Sequence, residues 1–211
     1  MLPKTDTVGS VLARLGIDLQ GPFPITKAGN KYILVVQDYC SRFVEMFGLP
    51  DKHAMTIAKK IDNEIFWRYG GARRLHSDQG KEFINQLMIN LCHRWGVEKT
   101  NTSPYRPQSN GLVERSNKSI KTILRQACKG VQEWDDLLPK IRGCLNATIH
   151  RSTGVTPFKM FFSRCEEPRL PLDLLTNRDS EPPDISGGLD YVIQQRKVCQ
   201  RIAEIVRIKL F

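Results

Sequence analysis

An aspartate, Asp18, stands between Ile17 and Leu19 in the stretch Val11 to Leu19, whose loose apolar alternation predicts a core strand. A carboxylate buried in such a strand costs several kcal/mol unless it is paired or bound to a cation. A functional role for Asp18 is therefore favoured. The breaker cluster Gly21-Pro22-Phe23-Pro24 follows and starts a loop, so Asp18 is expected near the centre or end of its strand.

Two compact apolar runs come next, Lys31 to Gln37 and Arg42 to Leu49, with polar Asp38, Cys40 and Ser41 between them where a hairpin turns. Ala54 to Tyr69 sets Ile57, Ile61, Ile65 and Phe66 at helical spacing and is stopped by Gly70-Gly71. A short strand is predicted over Arg74 to Ser77. Glu82 to Trp95 reads as a helix with Phe83, Leu87, Leu91 and Trp95 on one stripe, capped by Gly96 before a strand from Val97 to Thr102. A helix from near Asn110 past Arg125 then buries Val113, Ile120, Leu124 and Ala127. Three strands, helix, strand, helix, strand, helix imply an α/β chain: a mixed sheet with helices on its faces. Trp134 to Ile149 predicts another helix, and the run 152–158 a loop and restart. Residues 1–165 are expected to form the core, 166–188, with four prolines and two glycines, a linker, and 189–211 a final helix.

At 211 residues and 40% apolar content, one enzyme-sized domain is the natural expectation. The 32 Lys and Arg exceed the 22 Asp and Glu, for a formal charge of +10 that suits a polyanionic partner but also serves solubility. The longest apolar run, Tyr32 to Val36, is too short to span a bilayer, and the polar N-terminus lacks the apolar core of a signal peptide. A soluble, intracellular chain is expected. Six cysteines lie scattered with no Cys-x-x-Cys pair, and His53, His76, His93 and His150 show no ligand spacing. Reduced, mostly buried thiols and no intrinsic zinc site are the expectation.

Two further acids stand in polar surroundings: Asp78 in LHSDQGKEF and Glu114 in PYRPQSNGLVERSNK, with 35 residues between them (114 − 78 − 1). Taken alone, Asp78 before Gln79-Gly80 reads as a turn residue, and Glu114 as a helix acid paired with Lys118. Glu114, Lys118, Lys121 and Arg125 fall at i, i+4, i+7 and i+11, so one helical face carries an acid followed by three bases. Three carboxylates suit phosphodiester chemistry. Negative charge develops on both the attacking and leaving oxygens, two Mg²⁺ or Mn²⁺ ions stabilise it, and hard cations take oxygen ligands. One bridging carboxylate and one more for each ion is the economical assignment, with Asp18 as the bridge. Asp38, in VVQDYCSRF, also ends a strand and is read as structural.

The segments GIDLQGPFP, YILVVQDYCSRF, LHSDQGKEF, TSPYRPQSNGLVERSNK and TGVTPF, between residues 16 and 165, resemble in order and spacing the D,D(35)E integrases of retroviruses and LTR retrotransposons. TGVTPF resembles the gypsy-type form. The resemblance implies a ribonuclease H-like fold, a five-stranded mixed sheet with helices on both faces, plus a C-terminal helical extension. It implies convergence of Asp18, Asp78 and Glu114 on two Mg²⁺ or Mn²⁺ ions, and a DNA integrase carrying out 3′-end processing and strand transfer. Tyr105 and Asn110 resemble residues of the loop that contacts DNA ends, and Lys118 and Lys121 the helix positions that touch the DNA. Ser103, Gln108 and Ser109 would add phosphate hydrogen bonds without reading sequence, and Arg125 continues the basic face. DNA, a homo-oligomeric partner and the nucleus, reached through a cytoplasmic particle, follow from the same likeness.

Family members usually add an N-terminal His-His-Cys-Cys zinc domain and a C-terminal DNA-binding domain. Neither resembles any part of these 211 residues, as expected of a piece of a longer polyprotein or a degenerate copy. The family's Trp upstream of the first Asp is replaced by Val11-Leu12-Ala13-Arg14-Leu15. Two other readings stay open: a ribonuclease H-type nuclease, which needs neither the PQSNG loop nor the basic helix, and a domesticated, inactive copy that binds DNA or a partner.

Overall fold

The computed structural model describes residues 10–102, 111–130, 132–163 and 190–210, with 111–117, 190–196 and 210 described by their backbone alone. Five strands form one mixed sheet: β1 (Arg14–Gln20), β2 (Tyr32–Asp38), β3 (Val44–Leu49), β4 (Arg74–Ser77) and β5 (Glu98–Asn101). Their order is β3-β2-β1-β4-β5. The hairpin strands pair antiparallel, whereas β4 joins β1 and β5 joins β4 in parallel, because helices intervene between these last strands.

Strand parity sorts the side chains into two cores. On one face Leu15, Ile17, Leu34, Val36 and Leu75 meet Ile57, Ile61, Ile65 and Phe66, together with Phe83, Met88 and Cys92. The first four helical residues lie on one continuous helical run: α1 (Ala54–Ile61), a π turn (Asp62–Phe66) and α2 (Trp67–Tyr69). The π turn is held by Trp95, whose indole N–H donates to Asp62 Oδ1 at 2.8 Å. α3 (Gln86–Arg94) supplies Met88 and Cys92. It begins later than the sequence pattern suggests, since Asn85 Oδ1 accepts the Met88 amide at 3.0 Å and caps the helix there. The buried stripe is accordingly Met88 and Cys92, with Leu87, Leu91 and Trp95 only partly buried beside it.

The opposite face carries Ile33, Val35, Val44 and Met46 under α4 (Gly111–Ala127), α5 (Leu138–Ala147) and α7 (Asp190–Leu210). Ile120, Ile123, Leu124 and Ala127 of α4 are buried here, as are Ile202 and Val206 of α7 and the fully enclosed Trp134. β2 is thus covered on both sides, which is why its sequence reads as an unbroken apolar run. The predicted helix from Trp134 to Ile149 is split into a 3₁₀ turn (Trp134–Leu137) and α5.

The β3 edge is protected by a side chain. Asn146 accepts from the Val44 amide at 2.8 Å and donates to the Val44 carbonyl at 2.9 Å, imitating a neighbouring strand. The TGVTPF motif is a helix start: Thr156 accepts from the Lys159 amide and Pro157 opens α6 (Pro157–Phe162). Phe161 of α6 stacks on Phe43 at 4.3 Å. The expected linker 166–188 lies outside the described residues. Among the described residues no helix is long and apolar enough to cross a membrane, and the five described cysteines are free.

Candidate active site

Parity also places the acids. Leu15 and Ile17 face the α1–α3 side, so Asp18 turns to the α4 side; Leu75 likewise sends His76 and Asp78 there. β1 and β4 run parallel with Arg14 opposite Arg74 and Gly16 opposite His76. Carrying that register two residues further sets Asp18 beside Asp78. The two carboxylates, 60 residues apart in sequence, are thereby neighbours on one face.

Asp18 is not left uncompensated. Lys121, reaching down from α4, places its ammonium 3.0 Å from Asp18 Oδ2. The Gln20 side-chain amide, on the same strand and face, donates to the same oxygen. Burial still pushes the Asp18 carboxyl above its ordinary value; Lys121 opposes the lift and the nearby Asp78 charge adds to it. Asp78 is exposed at the end of β4, and its Oδ1 accepts the Gly80 amide at 2.9 Å. The turn role and a functional role are therefore compatible for Asp78, because only one carboxylate oxygen is committed to the turn.

Beneath the acids, His76 Nδ1 lies 3.0 Å from Thr100 Oγ1 on β5. Burial, with Arg14 and Lys99 adding to it, pushes the imidazole down to about 4, so it is neutral at physiological pH. Tyr39 packs edge-on against His76 with ring centroids 6.1 Å apart, and Arg14 lies 4.7 Å over the Tyr39 ring. Gly16 makes this possible, since a Cβ there would sit 2.4 Å from the Tyr39 ring. On the opposite face Lys99 ties the strand ends together, donating to Ser77 Oγ at 2.7 Å and Asn101 Oδ1 at 2.6 Å. Burial pushes Lys99 down to about 8.

Of the residues singled out in the sequence, the structure joins Asp18, Asp78 and Lys121, and leaves Lys118 and Arg125 exposed on α4. Glu114 lies in the first turns of α4, two turns before Lys121, but its side chain is outside the described residues, as are Ser103, Tyr105, Gln108, Ser109 and Asn110. Among the described residues no three His, Cys, Asp or Glu side chains gather as a metal cluster. Asp18 and Asp78 nevertheless fit a divalent ion: they are adjacent hard oxygen donors whose mutual repulsion a cation would relieve. Asp38 is unlike them. It is buried, with Oδ1 accepting the Leu12 amide at 3.0 Å and Oδ2 the Ser41 amide at 2.7 Å and hydroxyl at 2.6 Å. Gln20 was missed by sequence reasoning, although its position two residues beyond Asp18 puts it on the same strand face.

This arrangement has known counterparts. The integrase core domain family matches residues 13–107. The gypsy retrotransposon integrase-like protein 1 of Bos taurus is 32% identical over 149 residues, 70% of this chain and 30% of that protein. The Gag-Pol polyprotein of koala retrovirus is 40% identical over 138 residues, 63% of this chain and 8% of the polyprotein. The crystal structure of the BIV integrase catalytic core domain superposes with a TM-score of 0.57 and 28% identity, covering 72% of this chain and 94% of that one.

The chain belongs to the integrase core family of retroviruses and gypsy-type retrotransposons. The integrase fold is the ribonuclease H-like one, with β1 and β4 at its centre and helices on both faces. The chain spans less than a third of the length of these two relatives.

Proposed function

We propose that this chain is an integrase catalytic core that processes the 3′ ends of retroelement DNA and joins them to a target duplex, using Mg²⁺ or Mn²⁺. The observation that supports this most is the pair Asp18 and Asp78, neighbouring charges on the α4 face, with the Lys121 ammonium against Asp18. Asp18, Asp78 and Glu114 would hold two ions, which when bound supply Lewis-acid stabilisation of the attacking and leaving oxygens. The chain's own contribution is positional. The parallel β1/β4 ladder sets the spacing of the first two acids, and α4 crosses their face bearing Glu114. Lys118, Lys121 and Arg125 extend a basic face along the same helix for a DNA backbone, to which Tyr105, Gln108, Ser109 and Asn110 of the preceding segment would add contacts. Assembly as a homo-oligomer and action in the nucleus belong to the same proposal.

The test is strand transfer and disintegration on branched oligonucleotides with Mg²⁺ or Mn²⁺, comparing wild type with Glu114→Gln. Metal-dependent activity that disappears in the variant supports the assignment. Cleavage of an RNA–DNA hybrid without strand transfer would replace it with a ribonuclease H-type nuclease. A folded chain with no activity in either assay would point to a domesticated copy.

A further inference from the structure

Lys121 makes an unusual contact for a residue expected to touch DNA: its ammonium faces inward, onto Asp18, a carboxylate that would hold the metal. The contact is 3.0 Å, to a carboxylate whose side chain is 16% exposed, whereas Lys121 itself is 42% exposed. Gln20 donates to the same oxygen, so Asp18 Oδ2 already has two donors. Lys118, three residues earlier on α4, is exposed to solvent. Among the described residues, Lys121 is the base of this helix face that contacts Asp18.

We propose that Lys121 is a stand-in cation that neutralises Asp18 until a divalent ion displaces it, and that the displaced ammonium then becomes available to a DNA phosphate. The inference rests on the metal-dependent reading of the site. A carboxylate this enclosed needs a compensating charge, and the ammonium supplies it. Ammonium and divalent ion cannot both occupy Oδ2, so they compete. The lysine is tethered by a flexible stem on a partly exposed helix face, so release leaves the sheet undisturbed and frees a basic group beside the acids. Because one side chain serves both Asp18 and DNA, metal and DNA binding become linked, each favouring the other through the same exchange.

The experiment titrates the full chain with Mn²⁺ alone, without DNA, by isothermal calorimetry, for wild type, Lys121→Met and Lys118→Met. Each protein's fold is checked by circular dichroism. Lys121→Met is expected to bind Mn²⁺ about tenfold more tightly than wild type, about 1.4 kcal/mol. Lys118→Met, which removes an equal charge without removing a competitor, is expected to stay within about twofold of wild type. In parallel, acetylation of lysines in wild type is mapped by mass spectrometry with and without saturating Mn²⁺. Labelling of Lys121 should rise severalfold with the metal while that of Lys118 stays level. Equal Mn²⁺ affinity in wild type and Lys121→Met, or equal gains in both variants, would overturn the exchange while leaving the metal site intact. Absence of Mn²⁺ binding in all three proteins would overturn the exchange together with the metal-dependent reading beneath it. Binding by Lys121→Met alone would support the exchange in its strongest form.

Discussion

Asp18 on β1 and Asp38 at the end of β2 are acids on adjoining strands, and they differ in what satisfies them. Asp38 is 1% exposed and receives two backbone amides and a hydroxyl from its own turn and from Leu12. Two of those donors are backbone amides fixed by the chain path, so an ion cannot replace them without unfolding the hairpin. Asp18 is held by the ends of two side chains, Lys121 and Gln20, either of which can swing away. A buried carboxylate saturated by backbone is a structural element; one neutralised by mobile side chains is available for exchange. The difference is invisible in residue type, since both are aspartates in or at the end of a largely apolar strand.

Exchanging the two acids' roles by mutation is the sharpest way to break the comparison. Asp18→Asn is expected to lower strand transfer by at least about a hundredfold while shifting stability by no more than about 1 kcal/mol, since the lost ion pair is partly exposed. Activity and a urea melt on the same preparation read both quantities. Asp38→Ala should do the reverse: about 3 kcal/mol of stability lost, a fall in Tm of roughly 6–12 °C, because Leu12 and Ser41 donors lose their acceptor. Calorimetry showing a shift below about 2 °C would remove Asp38 from its structural role. Ser41→Ala deletes one of the three donors and should cost about 1 kcal/mol by the same measurement.

The smallest expected effect concerns pH, and it probes the floor beneath Asp18 and Asp78. His76 is held near 4 in the folded chain against an ordinary value of 6.5, so the unfolded state binds more protons between these limits. Stability rises with pH in that window and is lost as pH falls from 6.5 towards 4. Urea midpoints at pH 7 and pH 5 should differ more in wild type than in His76→Asn. An equal difference in both would assign the acid sensitivity to other groups.

Much of the fold was legible because it rests on local periodicity. Alternation marked β1, an unbroken apolar run marked the doubly covered β2, and Ile57, Ile61, Ile65 and Phe66 marked the helix that packs on it; all four of these helical residues are buried. What periodicity missed was decided by single side chains. Asn85 caps α3 so that it starts at Gln86, four residues after the predicted start, and Trp95 bonds to Asp62 at the π turn rather than lying on the buried stripe. In the site, the two aspartates and the basic helix face were readable as residue types at suggestive spacing. Gln20 and the inward turn of Lys121 were not, because a helix face can point either to solvent or to a neighbouring strand without changing its pattern.

By itself the sequence determined the order of the main strands and helices, the core faces of β2 and of the first helix, and the family, since each is written in short-range spacing or in motifs. Only the tertiary structure decided that β4 lies parallel to β1 in the register that brings Asp78 to Asp18, and that α4 lowers Lys121 onto the same carboxylate. Strand pairing depends on how two cores close on opposite faces of one sheet, and charge compensation depends on which side chain can then reach. Both are non-local quantities, set by packing after the local pattern has been satisfied.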